Sequence, residues 1–294
     1  MNNRLQPIVF LVLLLSAASL AAEDRRVDPT FLHRFVPGLG EKPSDLTTAT
    51  CHYRPIFGEG DPDAAVLRGI ARYAEVTVDP GGATAQVSYT SEEQVYVILE
   101  GTGNVLCAGE SVPVKTKDFM YLPPGIRHGL TNPSSQPLRL IVMGFRIPPG
   151  SGSAPPSSRM LKANIDEVKL EVVSGHPPST LYQLLMGDTR SKRDRLAAAR
   201  VLTSLFIMEF APGGTNFPHH HETEEEIYFV LNGHGEMVAG GGIDGIEGRH
   251  PAKAGDAYFF RLNCTVGFYA GNKPGEEKAR ILAVRSLFPM KCRD

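Results

Sequence analysis

Short runs rich in Val, Ile, Tyr and Phe recur along the chain: ARYAEVTV (71–78), QVYVILEG (94–101), LRLIVMGF (138–145), TSLFIMEF (203–210), EIYFVLNG (226–233) and RILAVRSLF (280–288). Gly, Pro and Asn bound them, at a spacing of roughly ten residues, which predicts an all-β sandwich or barrel. Helical periodicity is weak. DRLAAAR (194–200) and ANIDEVKLEVV (163–173) alone invite a short helix, and the second reads equally well as a strand.

The pattern repeats on a larger scale. DPGGATAQVSYTSEEQVYVILEGTG (79–103) aligns without a gap on APGGTNFPHHHETEEEIYFVLNGHG (211–235), with Pro80, Gly81, Gly82, Glu92, Glu93, Tyr96, Leu99, Gly101 and Gly103 identical in both copies. Downstream, KDFMYLPPGIRHGLTN matches GDAYFFRLNCTVGFYA after an insertion around GGGIDG. A Pro/Gly/Ser stretch between the copies, IPPGSGSAPPSS, reads as a linker. One fold is duplicated. The expected organisation is a leader over residues 1–22, an N-terminal domain over 45–147, a linker over 148–160 and a C-terminal domain over 161–290.

The second copy carries the chemistry. In extended chain, alternation puts His219 and His221 on one face and turns His220 away. Two neutral imidazoles side by side form a chelate for Zn, Fe, Mn, Ni or Cu, and Glu226 adds a carboxylate from the neighbouring strand. Alternation also sends Tyr228 and Val230 inward with Glu226, and Ile227 outward. Glu222, Glu224 and Glu225 read as an exposed charged turn, and the basic run RSKRDR (190–195) as an exposed hairpin loop. His33, His52, His176, His234 and His250 have no partner at ligand spacing and read as surface residues.

These residues resemble the cupin superfamily. Its first motif, G-x(5)-H-x-H-x(4)-E-x(6)-G, is filled at every position by Gly213, His219, His221, Glu226 and Gly233. Its second, G-x(5)-P-x-G-x(2)-H-x(3)-N, is matched in the first copy by Pro123, Gly125, His128 and Asn132, with Lys117 at the leading glycine. The resemblance implies an all-β fold of two double-stranded β-helix barrels in tandem, a bicupin. It implies one divalent metal ion per chain (Fe, Mn, Zn or Ni, with Fe favoured) on His219, His221 and Glu226. The fourth ligand position of the family holds Val266, and Tyr228, Tyr258, Val266 and Phe268 are expected to line the substrate pocket. Strand register leaves open which of Tyr258 and Phe260 faces inward. In the first copy Val87, Tyr89 and Gln94 replace the ligands, so Tyr89, Gln94 and His128 form a pocket without metal, with His128 read as a satisfied interior residue.

The remaining features bound the function. A net charge of −2 in 294 residues gives no reason to expect a nucleic acid or an anionic membrane as partner. Arg4, the apolar run from Ile8 to Leu15 and the small residues of SLAA form a cleavable export signal, too short to stay as a span. A secreted or periplasmic location follows, without stable membrane insertion. Export permits disulfides among Cys51, Cys107, Cys264 and Cys292, and no pairing is singled out. The expected partner is a small organic molecule, and the chain is a monomer or a homo-oligomer. Two His and one carboxylate leave metal positions open, as in non-haem dioxygenases, so an oxidoreductase leads; no catalytic residue is assigned. The alternatives are a non-redox isomerase, decarboxylase or hydrolase acting on a sugar or carboxylate, and a binding or storage protein without catalysis.

Overall fold

The computed structural model describes residues 29–150, 159–241, 246–273, 275 and 277–289. The leader, most of the linker and Cys292 lie outside them. The first copy contains β1 (Phe31–Phe35), β2 (Cys51–Gly58), β3 (Ile70–Val78), β4 (Glu92–Glu100), β5 (Thr102–Cys107), β6 (Glu110–Lys115), β7 (Asp118–Leu122), β8 (His128–Thr131) and β9 (Leu138–Arg146). The second contains β10 (Leu161–Asn164), β11 (Thr180–Asp188), β12 (Leu196–Ala199), β13 (Leu202–Phe210), β14 (Glu224–Asn232), β15 (His234–Gly241), β16 (Ile246–Lys253), β17 (Asp256–Phe260), β18 (Thr265–Ala270) and β19 (Ala279–Leu287).

Each copy pairs a large sheet with a three-stranded one. The order β10-β7-β4-β9-β3-β2 faces β6-β5-β8, and the order β1-β17-β14-β19-β13-β11-β12 faces β16-β15-β18. These are two β-barrels in tandem, and among the described residues there is no α-helix. Both segments that invited a helix are extended: DRLAAAR supplies β12, parallel to β11, and ANIDEVKLEVV supplies the end of β10 and a single 3-10 turn, Ile165–Glu167. Tertiary pairing with a neighbouring edge overrides the helical preference of a short Leu/Ala run.

The copies exchange strands. The opening strand of the chain, β1, joins β17 of the second barrel, and β10 joins β7 of the first. The sheet boundary therefore does not follow the expected boundary at residue 161, because Leu161–Asn164 completes the N-terminal sheet.

A shared core lies between the two large sheets. Val95, Val97, Ile141 and Met143 of the first meet Leu205, Ile207, Ile227, Phe229, Leu282 and Val284 of the second in one buried cluster. Ile227 does turn away from its own barrel, but into this interface and not into water. Alternate residues of the same strands fill separate barrel interiors, Tyr96 and Ile98 in one, Tyr228 and Val230 in the other. Strands with two buried faces read as unbroken apolar runs, which is the pattern of QVYVILEG and EIYFVLNG.

Two acids cross this interface reciprocally. Glu225, fully buried, accepts the backbone N–H groups of Arg68, Gly69 and Ile70 at 2.8, 2.7 and 3.3 Å. Its counterpart Glu93, also fully buried, accepts those of Arg200, Val201 and Leu202 at 2.7, 2.9 and 2.7 Å, and the Tyr121 hydroxyl at 3.1 Å. The expectation that Glu225 lies in an exposed turn is thus corrected. Burial pushes both carboxyls up, and the converging N–H donors pull them back. Cys51, Cys107 and Cys264 are buried, and Cys51 and Cys107 are free thiols.

Candidate metal centre

The segment from Thr215 to His221 runs along the barrel wall, bridged at Thr215 to Tyr269 and at His219 to Val266. The His219 bridge is double, N–H to the Val266 carbonyl at 2.9 Å and the reverse at 2.8 Å. The alternation expected of an extended segment holds: the His220 side chain is 57% exposed, whereas His219 and His221 turn inward. Glu226 enters from β14 and is buried. One ligand atom each from His219, His221 and Glu226 lies within 4.8 Å of the others.

Several observations fit this triad to a metal ion. Phe217 holds a left-handed backbone (φ +55°) that turns its carbonyl onto His219 Nδ1 at 2.8 Å. An Nδ1–H donated there leaves Nε2 as a bare lone pair. His221 Nε2 and Glu226 Oε2 are buried without a hydrogen-bond partner. They lie 3.2 Å apart, not aligned with each other, close to the spacing of two adjacent donors on an ion at about 2.1 Å. Burial keeps His219 neutral by lowering its pKa. Burial alone would raise the Glu226 carboxyl, but the polar and positive groups facing it, Arg285 the permanently charged one, outweigh it and hold it below the usual carboxylate range. Imidazole lone pairs and an ionised carboxylate are the donor set a divalent ion requires.

A cavity of about 300 Å³ opens over the triad. Of the residues expected to line it, only Tyr228 does. Tyr258, Val266 and Phe268 are buried in the barrel interior, where Phe268 packs edge-on against Phe210 with ring centroids 4.9 Å apart. A barrel this narrow fills that part of its interior with side chains. Tyr258 and Phe260, two residues apart on one strand, both point inward, and Phe259 points to the interface. Asn216 fixes Tyr228 by donating to its hydroxyl at 3.0 Å and accepting the Phe268 N–H at 2.8 Å.

The wall of the cavity comes from residues outside the sequence motifs. Tyr182 from β11, Ser204 from β13 and Arg285 from β19 all face it. So do His176 and Arg193, which had been placed on the surface. His176 is held by the Asn216 carbonyl at 2.9 Å, and its ring stands 5.6 Å from that of His219. Arg193 belongs to the basic loop and remains half exposed at the mouth. Glu224 is partly buried beside His221 and Arg285, leaving Glu222 as the exposed acid of the run. A signal for Arg285 was present: in RILAVRSLF it shares the phase of Ile281 and Ala283, which fill the barrel.

The N-terminal barrel has spent the same space. The Arg72 guanidinium bonds Tyr89 Oη at 2.8 Å, Asp45 at 3.0 Å and Glu59 at 2.8 Å, and its Cζ lies 4.2 Å from the Tyr89 ring centroid. His128 is satisfied at both nitrogens, by the Tyr96 hydroxyl at 2.9 Å and the Ile126 carbonyl at 3.0 Å. Gln94 donates to Glu92 at 2.8 Å. Cross-strand register makes the exchange explicit. Arg72 pairs with Gly144 in the first barrel, and Ser204 with Arg285 in the second, so each carries one arginine, on opposite strands of the pair. A side chain on Gly144 would meet Gln94, Glu92 and Arg72 within 2.9 Å, so the Arg72 cluster occupies the room that Arg285 uses in the other barrel.

The Cupin domain family model matches residues 74–144 and 206–285, more than half of the chain. The chain belongs to the cupin family. Solved structures share this bicupin's fold along most of its length. Protein Ylba from E. coli superposes with a TM-score of 0.64 at 17% identity, covering 88% of this chain and 92% of its own. Oxalate decarboxylase from Lactobacillus farciminis, in a formate complex, gives 0.62 at 12% identity, with 88% and 86% covered. The bacterial pirin YhhW from E. coli, in complex with nickel(II), gives 0.61 at 16% identity, with 88% and 100% covered. Curated relatives match a single segment. An uncharacterized protein of Methanocaldococcus jannaschii is 33% identical over 81 residues, which is 27% of this cupin and 65% of that protein. Mannose-1-phosphate guanylyltransferase of Klebsiella pneumoniae is 33% identical over 89 residues, 30% of this chain and only 18% of the enzyme. No helix among the described residues is long and apolar enough to cross a membrane.

Proposed function

We propose that this bicupin is an exported metal-dependent enzyme acting on a small organic molecule in its C-terminal barrel, with iron as the metal and oxidation by O₂ as the chemistry. The observation that carries the reading is the convergence of His219, His221 and Glu226, with unpartnered donor atoms, at one cavity. A storage protein has no use for buried lone pairs left without partners, since each costs free energy. A bound divalent ion would supply open coordination positions for substrate and O₂, because three donors among the described residues converge there and Val266 offers none. The chain's own residues do the rest. Phe217 and Asn216 orient His219 and Tyr228, and Val173, Leu184 and Phe206 add apolar surface to the cavity. The nickel-bound pirin of the same fold supports a metal in such a barrel.

One observation favours a second, non-redox reading. His176 and the Tyr182 hydroxyl stand beside the triad without belonging to it, placed to exchange protons with a bound sugar or acid. Elemental analysis of protein taken from its native compartment, with O₂ uptake measured during turnover, separates the two. Iron with O₂ consumption is expected. Zinc, manganese or nickel without O₂ uptake would move the assignment to an isomerase, decarboxylase or hydrolase.

A further inference from the structure

We infer that the cavity over the triad is a carboxylate-binding site and that Arg285 is its recognition residue. The substrate class is a small organic acid whose carboxylate meets Arg285, Ser204 and Tyr182. This deepens the reading above and rests on it for the metal, but the recognition argument stands on separate atoms.

Five buried polar atoms that line this one cavity have no hydrogen-bond partner: His221 Nε2, Glu226 Oε2, Tyr182 Oη, Ser204 Oγ and Arg285 Nε. The first two are accounted for by the metal. The other three are all donors: a guanidinium N–H, an alcohol and a phenol. Burial raises the phenol's pKa, so it keeps its proton. Buried donors are normally satisfied, and three unmet in one cavity describe the shape of an absent acceptor. An anionic oxygen pair matches them, because charge-assisted bonds to guanidinium are stronger than neutral ones.

Charge points the same way. Arg285 makes one hydrogen bond among the described residues, Nη1 to Glu224 at 3.3 Å, and its Nε stands 3.8 Å from Glu226 Oε1. A metal on Glu226 would take up that carboxylate's charge and leave the guanidinium with Glu224 alone. In the N-terminal barrel the corresponding arginine is consumed by the protein, with Asp45, Glu59 and Tyr89 on its terminal nitrogens. Arg193 at the mouth adds a second positive charge on the entry path. Val173, Leu184 and Phe206 also line the cavity, with the Phe206 ring 5.6 Å from Arg285 Cζ, and suit a short apolar body beside the carboxylate.

The test uses pyruvate as the charged probe and methyl pyruvate as its neutral match, titrated calorimetrically into the full chain, with metal content measured on each sample. Pyruvate should bind and methyl pyruvate should bind at least about tenfold more weakly. Arg285→Gln should weaken pyruvate by about tenfold or more and keep the metal, Arg285→Lys should recover part of the loss, and Ser204→Ala should weaken it several-fold. Equal affinity for the two probes, no pyruvate binding, or wild-type affinity in Arg285→Gln would overturn the inference. Loss of metal in Arg285→Gln would also overturn it, by assigning Arg285 to holding Glu226. A wild-type chain that carries no metal yet still binds pyruvate through Arg285 would sink the metal reading and leave this one standing.

Discussion

Replacing Glu225 by alanine would remove the acceptor of two fully buried amides, Gly69 and Ile70, and of the partly buried amide of Arg68. An unsatisfied buried donor costs about 1–3 kcal/mol. The Gly69 bond, at 2.7 Å, carries most of the penalty, and the 3.3 Å Ile70 bond carries less. The expected loss is therefore about 3 kcal/mol, a large share of a typical domain stability of roughly 5–15 kcal/mol. Glu225→Gln should cost less but remain measurable, since one oxygen becomes an NH₂ facing an N–H. Glu93→Ala should cost a similar amount, because it strips the Val201 and Leu202 amides of their acceptor on the other side of the interface. Urea unfolding followed by circular dichroism gives the free energy, and hydrogen exchange at Gly69 and Ile70 shows whether the loss is local. Glu222→Ala, which removes an exposed charge from the same acidic run, is the control and should change nothing. If Glu225→Ala unfolds within about 0.5 kcal/mol of wild type, Glu225 does not clamp the barrels together through these amides.

Three further outcomes are expected. The chain should bind one metal ion; His219→Ala, His221→Ala or Glu226→Ala should abolish tight binding while His220→Ala keeps it, as elemental analysis after dialysis would show. Val266→His should tighten the metal by adding a donor opposite His219, though an imidazole in place of a buried valine risks about 1–3 kcal/mol of overpacking, so affinity and melting temperature must both be followed; unchanged affinity would mean that residue 266 does not reach the ion. Burial depresses His128 below its ordinary value, so the unfolded chain takes up the proton first as pH falls. The stability contribution of this neutral histidine is then whole above about pH 6.5 and eroded as pH drops from there toward the depressed folded value, and His128→Gln should flatten that limb. Parallel melting curves between pH 7.5 and 5 that keep the same slope in His128→Gln would refute the assignment.

Much of this protein was legible from its sequence because alternation and repetition are local properties. Apolar runs at short spacing demand strands, and two copies of the same run demand two copies of the same fold. The facing of His219, His221 and Glu226, and the turning-away of His220, follow from a two-residue period that needs no tertiary knowledge. The same period already placed Arg285 on the interior phase, beside Ile281 and Ala283, but sequence alone does not say whether an interior charge is neutralised. That depends on neighbours distant along the chain. Arg72 meets Asp45 and Glu59 in one barrel, while Ser204 opposite Arg285 leaves room for a cavity in the other. Tertiary structure also decided the fate of Glu225, which belongs by sequence to an exposed acidic turn and by contact to the amides of residues 68–70 in the other barrel. It decided the strand exchange as well, since β1 and β10 are free edges until a partner sheet offers them hydrogen bonds. What a residue faces is set by the chain near it; what it meets there is set by the chain far away.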